Sequence, residues 1–322
     1  MSETNDKKKV VVIGGAGFIG SHLTDALVEK GYDVHVIDNL VAGNKDHVNP
    51  KATLHVVDIR KLEDISPVIA GSDYVFHFAA LPRVQYSIDN PVETHDVNVN
   101  GTLNVFLAAK NAGVKRVVYS ASSSAYGDQD TMPLHEELPS RPLSPYGLQK
   151  YVGEHYARVF SQVYGLPTVS LRYFNVYGPR LNPNGAYALV IGKFLKQRSD
   201  GGPMTITGDG EQTRDFTHVR DVVRANILAA ESPNVGRGEV MNIGAGRNST
   251  INRIAELIGG EVKYIPARFE PKHTLASHAR AKELLGWEPQ VKVEEGIQEL
   301  LKEWGLDCVC KDGVCACAHA DA

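Results

Sequence analysis

The sequence predicts an α/β protein: a doubly wound parallel sheet carrying a smaller α/β domain. Three observations in its 322 residues predict this. Short runs of consecutive β-branched and apolar residues alternate with stretches of helical spacing through the first half, and such unbroken runs are expected of parallel strands covered by helices on both faces. A glycine-rich turn joins the first run to the first helical stretch. Gly31, Gly113 and Gly165 each follow a helical stretch, where a left-handed glycine ends a helix without steric penalty.

Taken in order, residues 10–13, 33–37, 54–57, 74–78, 117–120 and 168–172 read as strands. Residues 21–29, 98–112 and 146–164 read as the helices between them, and general chirality makes the crossovers right-handed. Beyond Gly178-Pro179-Arg180 the texture turns to loops rich in Gly, Asn and Pro. Helices are expected there at 189–197 and 219–231, strands at 204–207 and 239–243, and closing helices at 279–286 and 293–304. Residues 1–174 form the expected first domain, with about 215–243 returning to it; 175–214 and 244–306 form the second, and 307–322 a Cys-rich tail.

Composition bounds the function. With 43% hydrophobic and 22% charged residues the chain has the makeup of a well-packed globular protein. A formal charge of −4 gives no reason to expect a nucleic-acid or membrane partner. Residues 1–9 are polar and the apolar run behind them is cut by glycines after four residues, so a cytoplasmic location is expected. All four cysteines, Cys308, Cys310, Cys315 and Cys317, fall in the last fifteen residues, so no disulfide staples the body. Their Cys-x-Cys spacing suits zinc less well than the usual two to four intervening residues, and no metal is expected.

The turn itself is Gly14-Gly15-Ala16-Gly17-Phe18-Ile19-Gly20, set between strand and helix as a dinucleotide-binding loop requires. Asp38 ends the second strand 18 residues after Gly20, where a carboxylate takes the ribose hydroxyls of an adenosine and repels a 2′-phosphate. The expected cofactor is therefore NAD, with Asn39 beside that carboxylate. Asp58 and Ile59, ending the third strand, are placed for adenine; Phe78, Ala79 and Ala80, ending the fourth, let the backbone approach the cofactor.

Tyr146 and Lys150 stand four apart on a helix beginning after Pro145, so both project from one face. A phenol ionises near pH 10, but a nearby ammonium and a positively charged nicotinamide both favour the phenolate. Tyr146 is thus the expected proton carrier, Lys150 its tuner, and Ser122, at the end of the fifth strand, a hydrogen-bond partner for the same substrate oxygen. His77 and His218 sit within apolar runs and are expected in the core or just behind the site.

With these residues in hand, the chain resembles the extended short-chain dehydrogenase/reductase family, and within it the nucleotide-sugar 4-epimerases, from Lys9 to about Trp304. The matching stretches are the glycine loop, Ser120-Ala121-Ser122-Ser123-Ser124-Ala125-Tyr126-Gly127, Ser144-Pro145-Tyr146-Gly147-Leu148-Gln149-Lys150, Arg172-Tyr173-Phe174-Asn175-Val176-Tyr177-Gly178-Pro179, and Gly208-Asp209-Gly210-Glu211-Gln212-Thr213-Arg214-Asp215-Phe216. The resemblance implies a Rossmann domain holding NAD, with further contacts from Asn98, Ser120 and Tyr173, and reversible C4 epimerisation of a UDP-hexose through a 4-keto sugar. It implies a diphosphate clamp of Arg214 and Arg268, Asn175 near the pyrophosphate, Ile206 beside uracil, Glu270 facing ribose, and Ser123 and Ser124 near the sugar. Lys272 and Ser277 depart from the Arg and Asp usual in near relatives. Thr274 aligns with a bulky Tyr of relatives restricted to plain hexoses, which points to UDP-N-acetylglucosamine/UDP-N-acetylgalactosamine, with UDP-glucose/UDP-galactose as weaker substrates. A reductase, dehydratase or UDP-glucuronate 4-epimerase of the same family is the alternative. Dehydratases and decarboxylases carry an acidic residue after the catalytic Ser/Thr; here Ser123 and Ser124 stand instead. A homodimer is implied as well, through the helices at 98–112 and 146–164.

Overall fold

The computed structural model describes residues 7–183, 190–267 and 271–307, and the backbone of 310–311 and 314–315. Arg268, Glu270, Cys308, Cys317 and the side chains of Cys310 and Cys315 lie outside the described residues.

Seven strands form one parallel sheet: β1 (Lys9–Ile13), β2 (Asp33–Asp38), β3 (Thr53–Val56), β4 (Tyr74–His77), β5 (Arg116–Ser122), β6 (Thr168–Tyr173) and β7 (Arg237–Ile243). Their order is β7-β6-β5-β4-β1-β2-β3. The chain therefore reverses direction across the sheet between β1 and β4, and crevices at such switch points bind ligands beyond the C-terminal strand ends. Register carries the functional ends to one edge: Ile13 pairs with Ile37 and His77, and Ser122 with Tyr173. β7, from the segment expected to return to the first domain, pairs with β6.

Both faces of the sheet are covered. On one, α1 (Phe18–Glu29) and, far along the chain, Val219–Glu231 contribute Leu23, Leu27, Val222, Ala225 and Ala229 to a cluster with Val10, Val12 and Phe76. On the other, α2 (Leu62–Ile69), α3 (Thr102–Asn111) and α4 (Pro145–Tyr164) bury Ile65, Ile69, Val105, Phe106, Ala157 and Phe160 against Val11, Val75 and Val117. Alternate residues of β1 thus feed opposite clusters, the physical reason its run is apolar throughout.

A third cluster holds the second lobe: Ile191, Phe194 and Leu195 pack with Met204, Ile206, Ile254, Leu257, Ile297 and Leu300. Not all of 244–306 lies there. Ala281, Leu285 and Trp287 bury in the first sheet cluster, and the Trp287 indole N–H donates to Asp221 O at 2.9 Å. The helix expected at 98–112 begins differently too, since Asp96–Gly101 is a π-helix that passes into α3. Among the described residues no helix is long and apolar enough to cross a membrane.

Candidate active site at the C-terminal edge of the sheet

The glycine loop closes on itself. Gly14 has a φ of +82°, and a Cβ there would fall 2.6 Å from Ala79 N; a Cβ on Gly20 would fall 2.2 Å from Gly14 O. Only glycine lets β1, β4 and α1 meet this closely. Gly17 caps α1 without a side-chain hydrogen bond, so the first-turn amides carry no side-chain cap, as an anion-binding helix start requires. Phe18 and Ile19 open that helix and pack partly against the sheet. At the end of β2 the buried Asp38 accepts from Ala16 N at 3.0 Å and Leu40 N at 2.9 Å. Burial raises its pKa and those two amides oppose the rise. Asp38 thus braces the loop it flanks, and a carboxylate retains further lone pairs for a ligand. Loop, uncapped helix start and carboxylate together fit the pyrophosphate and ribose of a dinucleotide.

Several expected cofactor residues are engaged within the protein. Asp58 pairs with Arg60 at 2.8 Å and accepts from Asn39 Nδ2 at 3.1 Å, and the Arg60 hydrogen bond holds its pKa down at about 2. The Asn39 side chain also accepts from Val41 N. Ile59 is buried in the second sheet cluster, where a Cβ on Gly101 would collide with its side chain. Asn98 accepts from Leu81 N at 2.7 Å and donates to Leu81 O and to Gln149 Oε1, so its amide fixes the loop after Phe78-Ala79-Ala80. Phe78 stacks on Tyr173 at 6.4 Å, and the Tyr173 hydroxyl donates to Asn226 at 2.9 Å. Ser120 also hydrogen-bonds Tyr173, and burial pushes that phenol's pKa up.

The residues expected to handle the proton converge beside this edge. Ser144 caps α4 by accepting from Gly147 N at 3.1 Å, and Pro145 occupies the first turn. Ser122 Oγ accepts from Ser124 N at 3.2 Å, turning the chain out of β5 through Ser123 and Ser124. A Cβ on Gly147 would fall 2.7 Å from Ser124 O, so this glycine lets α4 approach that turn. Tyr146 is buried and its N–H donates to Ser87 Oγ; Ser122 is buried as well. Lys150 is buried with its Nζ 4.8 Å over the Tyr119 ring.

Electrostatics here differ from the expectation of a phenol lowered by its neighbours. Burial raises the Tyr146 pKa, and a hydrogen bond from Ser122 opposes the rise. Lys150 is the strongly shifted group: burial brings it down to about 7, while Glu154 opposes that shift. His77 is fully buried behind the pair, donating or accepting at Thr102 Oγ1, and desolvation followed by the Lys150 charge lowers its pKa to about 3. It lies in the core, as its apolar run suggests; His218 is likewise buried, and desolvation lowers its pKa to about 4.

On the lobe side, Asn175 adopts a left-handed φ of +30° and donates to Asp215 O at 3.0 Å. Arg214 donates to Thr213 O and Lys272 O. Thr274 N–H donates to Thr213 O at 3.1 Å, which brings Thr274 beside Arg214. Ile206 buries its side chain in the lobe's own cluster. Sequence reasoning missed Gln149, whose amide links Asn98 to Thr94 between Tyr146 and Lys150, and missed Asp215. Glu154, which forms a buried ion pair with Arg172 at 2.7 Å, was missed as well; its signal was a carboxylate four residues beyond Lys150 on the same helix face.

Known proteins share this fold. The chain is 38% identical to a UDP-glucose 4-epimerase of Thermotoga maritima solved with UDP-glucose, with a TM-score of 0.88 over 92% of this chain and 98% of that one. It is also 38% identical to a UDP-N-acetylglucosamine 4-epimerase of Methanobrevibacter ruminantium solved with UDP-N-acetylmuramic acid, with a TM-score of 0.86 over 92% and 99%. A UDP-glucose 4-epimerase of Mycolicibacterium smegmatis is 33% identical over 308 residues, 91% of this chain and 97% of that protein. Residues 10–244 match the NAD-dependent epimerase/dehydratase family, and the chain belongs to it.

Proposed function

We propose that the protein is an isomerase that inverts C4 of a UDP-hexose, with UDP-N-acetylglucosamine/UDP-N-acetylgalactosamine preferred over UDP-glucose/UDP-galactose. The observation that carries this reading is the buried pair Tyr146 and Lys150 on one face of α4 beside the buried Ser122, set next to a glycine loop shaped for a dinucleotide. NAD, when bound, supplies reversible storage of a hydride. Gly14, Gly17, Phe18, Ile19 and Asp38 would hold it, with Asn98 fixing the Leu81 backbone just beyond Ala79 and Ala80. Tyr146 Oη takes the proton of the sugar's 4-hydroxyl and returns it to the 4-keto oxygen once the sugar has turned over. Ser122 hydrogen-bonds the same oxygen and keeps proton donor and acceptor in line. The ammonium form of Lys150 stabilises the phenolate; burial works against both charges, so their mutual attraction has to offset it.

Arg214 grips the diphosphate, as guanidinium donors suit phosphate oxygens, and Asn175 lies beside it. Ser123 and Ser124 border the hexose. The small side chain of Thr274 leaves space for an N-acetyl group. Ser123, where dehydratases carry an acid, offers no proton donor for elimination. A homodimer is proposed through α4 and its neighbours, supported by the exposed apolar side chains of Leu148, Val159 and Val163. The test is parallel incubation with UDP-N-acetylglucosamine and UDP-glucose without added reductant, resolving the C4 epimers. Faster inversion of the N-acetylated sugar is expected; preference for the plain hexose would overturn the substrate assignment.

A further inference from the structure

The three residues assigned to the sugar nucleotide on this side of the crevice, Asn175, Arg214 and Thr274, come from three segments, and one buried carboxylate touches the structure of all of them. Asp215 has no exposed surface. Its Oδ1 accepts from Ala245 N at 2.7 Å, and its Oδ2 from Gly246 N at 3.0 Å and Ala276 N at 2.9 Å. The main chain of the same residue is used as well: its N–H donates to Thr274 Oγ1 at 3.4 Å, and its carbonyl accepts from Asn175 Nδ2 at 3.0 Å. One residue earlier, Arg214 leaves the strand Thr213–Asp215, whose Thr213 exchanges hydrogen bonds with Lys272 O and Thr274 N.

The fit is close on every side. A Cβ on Gly244 would fall 2.3 Å from Ala276 Cβ and 3.1 Å from Asp215 Oδ2. Burial lifts the carboxyl pKa to about 6, against the three amides and the charge of Arg247. A carboxylate kept in such a place at a desolvation penalty is informative, because an apolar side chain of like size could fill the space without it. What the carboxylate does that an apolar group cannot is gather amides from the loop after β7 and from the segment that follows Thr274 onto one side chain.

We propose that Asp215 is a positioning residue for the nucleotide-sugar, holding Arg214, Asn175 and Thr274 in one frame so that diphosphate and hexose are engaged together. This rests on the clamp assigned above. Asp215→Asn tests it, since an amide must turn its NH₂ toward at least one main-chain N–H donor. On the full-length holoenzyme, UDP affinity by calorimetry, KM and kcat, bound NAD and melting temperature are measured together. UDP binding about tenfold weaker is expected, with a matching rise in KM and kcat within roughly threefold, because a binding interaction common to ground and transition states is lost. NAD content should be unchanged. Unaltered UDP affinity in the folded variant overturns the proposal, and so does a joint loss of NAD and kcat, which marks a general structural role.

Should Asp215→Asn fail to fold, Thr274→Val removes the Oγ1 acceptor from the other end. UDP carries no hexose, so a drop of about threefold in its affinity reads the frame rather than a sugar contact; unchanged affinity overturns the proposal. A wild-type protein that binds UDP but inverts neither sugar would sink the functional reading, while the UDP affinities would still decide the role of Asp215.

Discussion

At the residue scale the chemistry is a contest between burial and charge. Tyr146 and Lys150 are both buried, and desolvation favours the neutral form of each. For Lys150 this has a consequence for stability. Its pKa falls from 10.5 unfolded to about 7 in the folded protein, so between those pH values the unfolded chain takes up a proton that the native state does not. Stability contributed at this position is therefore unpenalised above pH 10.5, is lost as pH falls toward 7, and stays level below. Lys150→Met removes that dependence. Thermal melts of the nucleotide-stripped protein should show the variant gaining on wild type by several degrees as pH drops from 10 to 7, given ~2–4 °C per kcal/mol in a chain this large. A gap that does not change with pH would contradict the burial argument. The placement of Ser122, Tyr146 and Lys150 was legible in the sequence because strand ends and four-residue helix spacing fix it locally. Asp215 and Gln149 were not, since their hydrogen bonds run to residues far off in sequence, Ala276 and Asn98.

At the element scale, α4 carries Tyr146 and Lys150, two of the three residues proposed to handle the proton, and must approach β5 closely. Gly153 makes this possible: a Cβ there would fall 2.1 Å from the Tyr119 hydroxyl. Alanine is the better helix former, yet Gly153→Ala should destabilise the protein by about 1–3 kcal/mol through overpacking. Its kcat should fall too, because the helix that positions Tyr146 is pushed from Ser122. Denaturant melts and steady-state kinetics check both; a more stable, fully active variant would show that the helix has room to spare. The long elements were legible from periodicity and glycine stops: Gly31, Gly113 and Gly165 all have positive φ. The short helices Val84–Asp89 and Pro91–His95 were not, being too brief for a helical period to register. Ile251–Ile258 was overlooked although the signal existed: Thr250 accepts from Arg253 N as cap, and Ile251, Ile254, Ala255 and Ile258 mark one face.

At the scale of the whole molecule, the parallel sheet gathers the glycine loop, Asp38, Ser122 and the start of α4 along a single edge. The second lobe, by contrast, is fastened by scattered contacts, with the region around Trp287 anchored in the sheet's own core. That is why the sheet could be read from successive residues while the division of 244–306 could not: burial of Trp287 against the helix Val219–Glu231 depends on packing between segments about sixty residues apart. The edge and the lobe define a crevice whose chemistry, on this account, borrows a hydride and restores it to the same carbon. The most direct test uses a UDP-hexose labelled with deuterium at C4, incubated with the wild-type protein and a trace of NAD in ordinary water. The expected product is inverted and keeps its deuterium at C4. Label washed out into solvent, or a 4-keto sugar that accumulates, would contradict it.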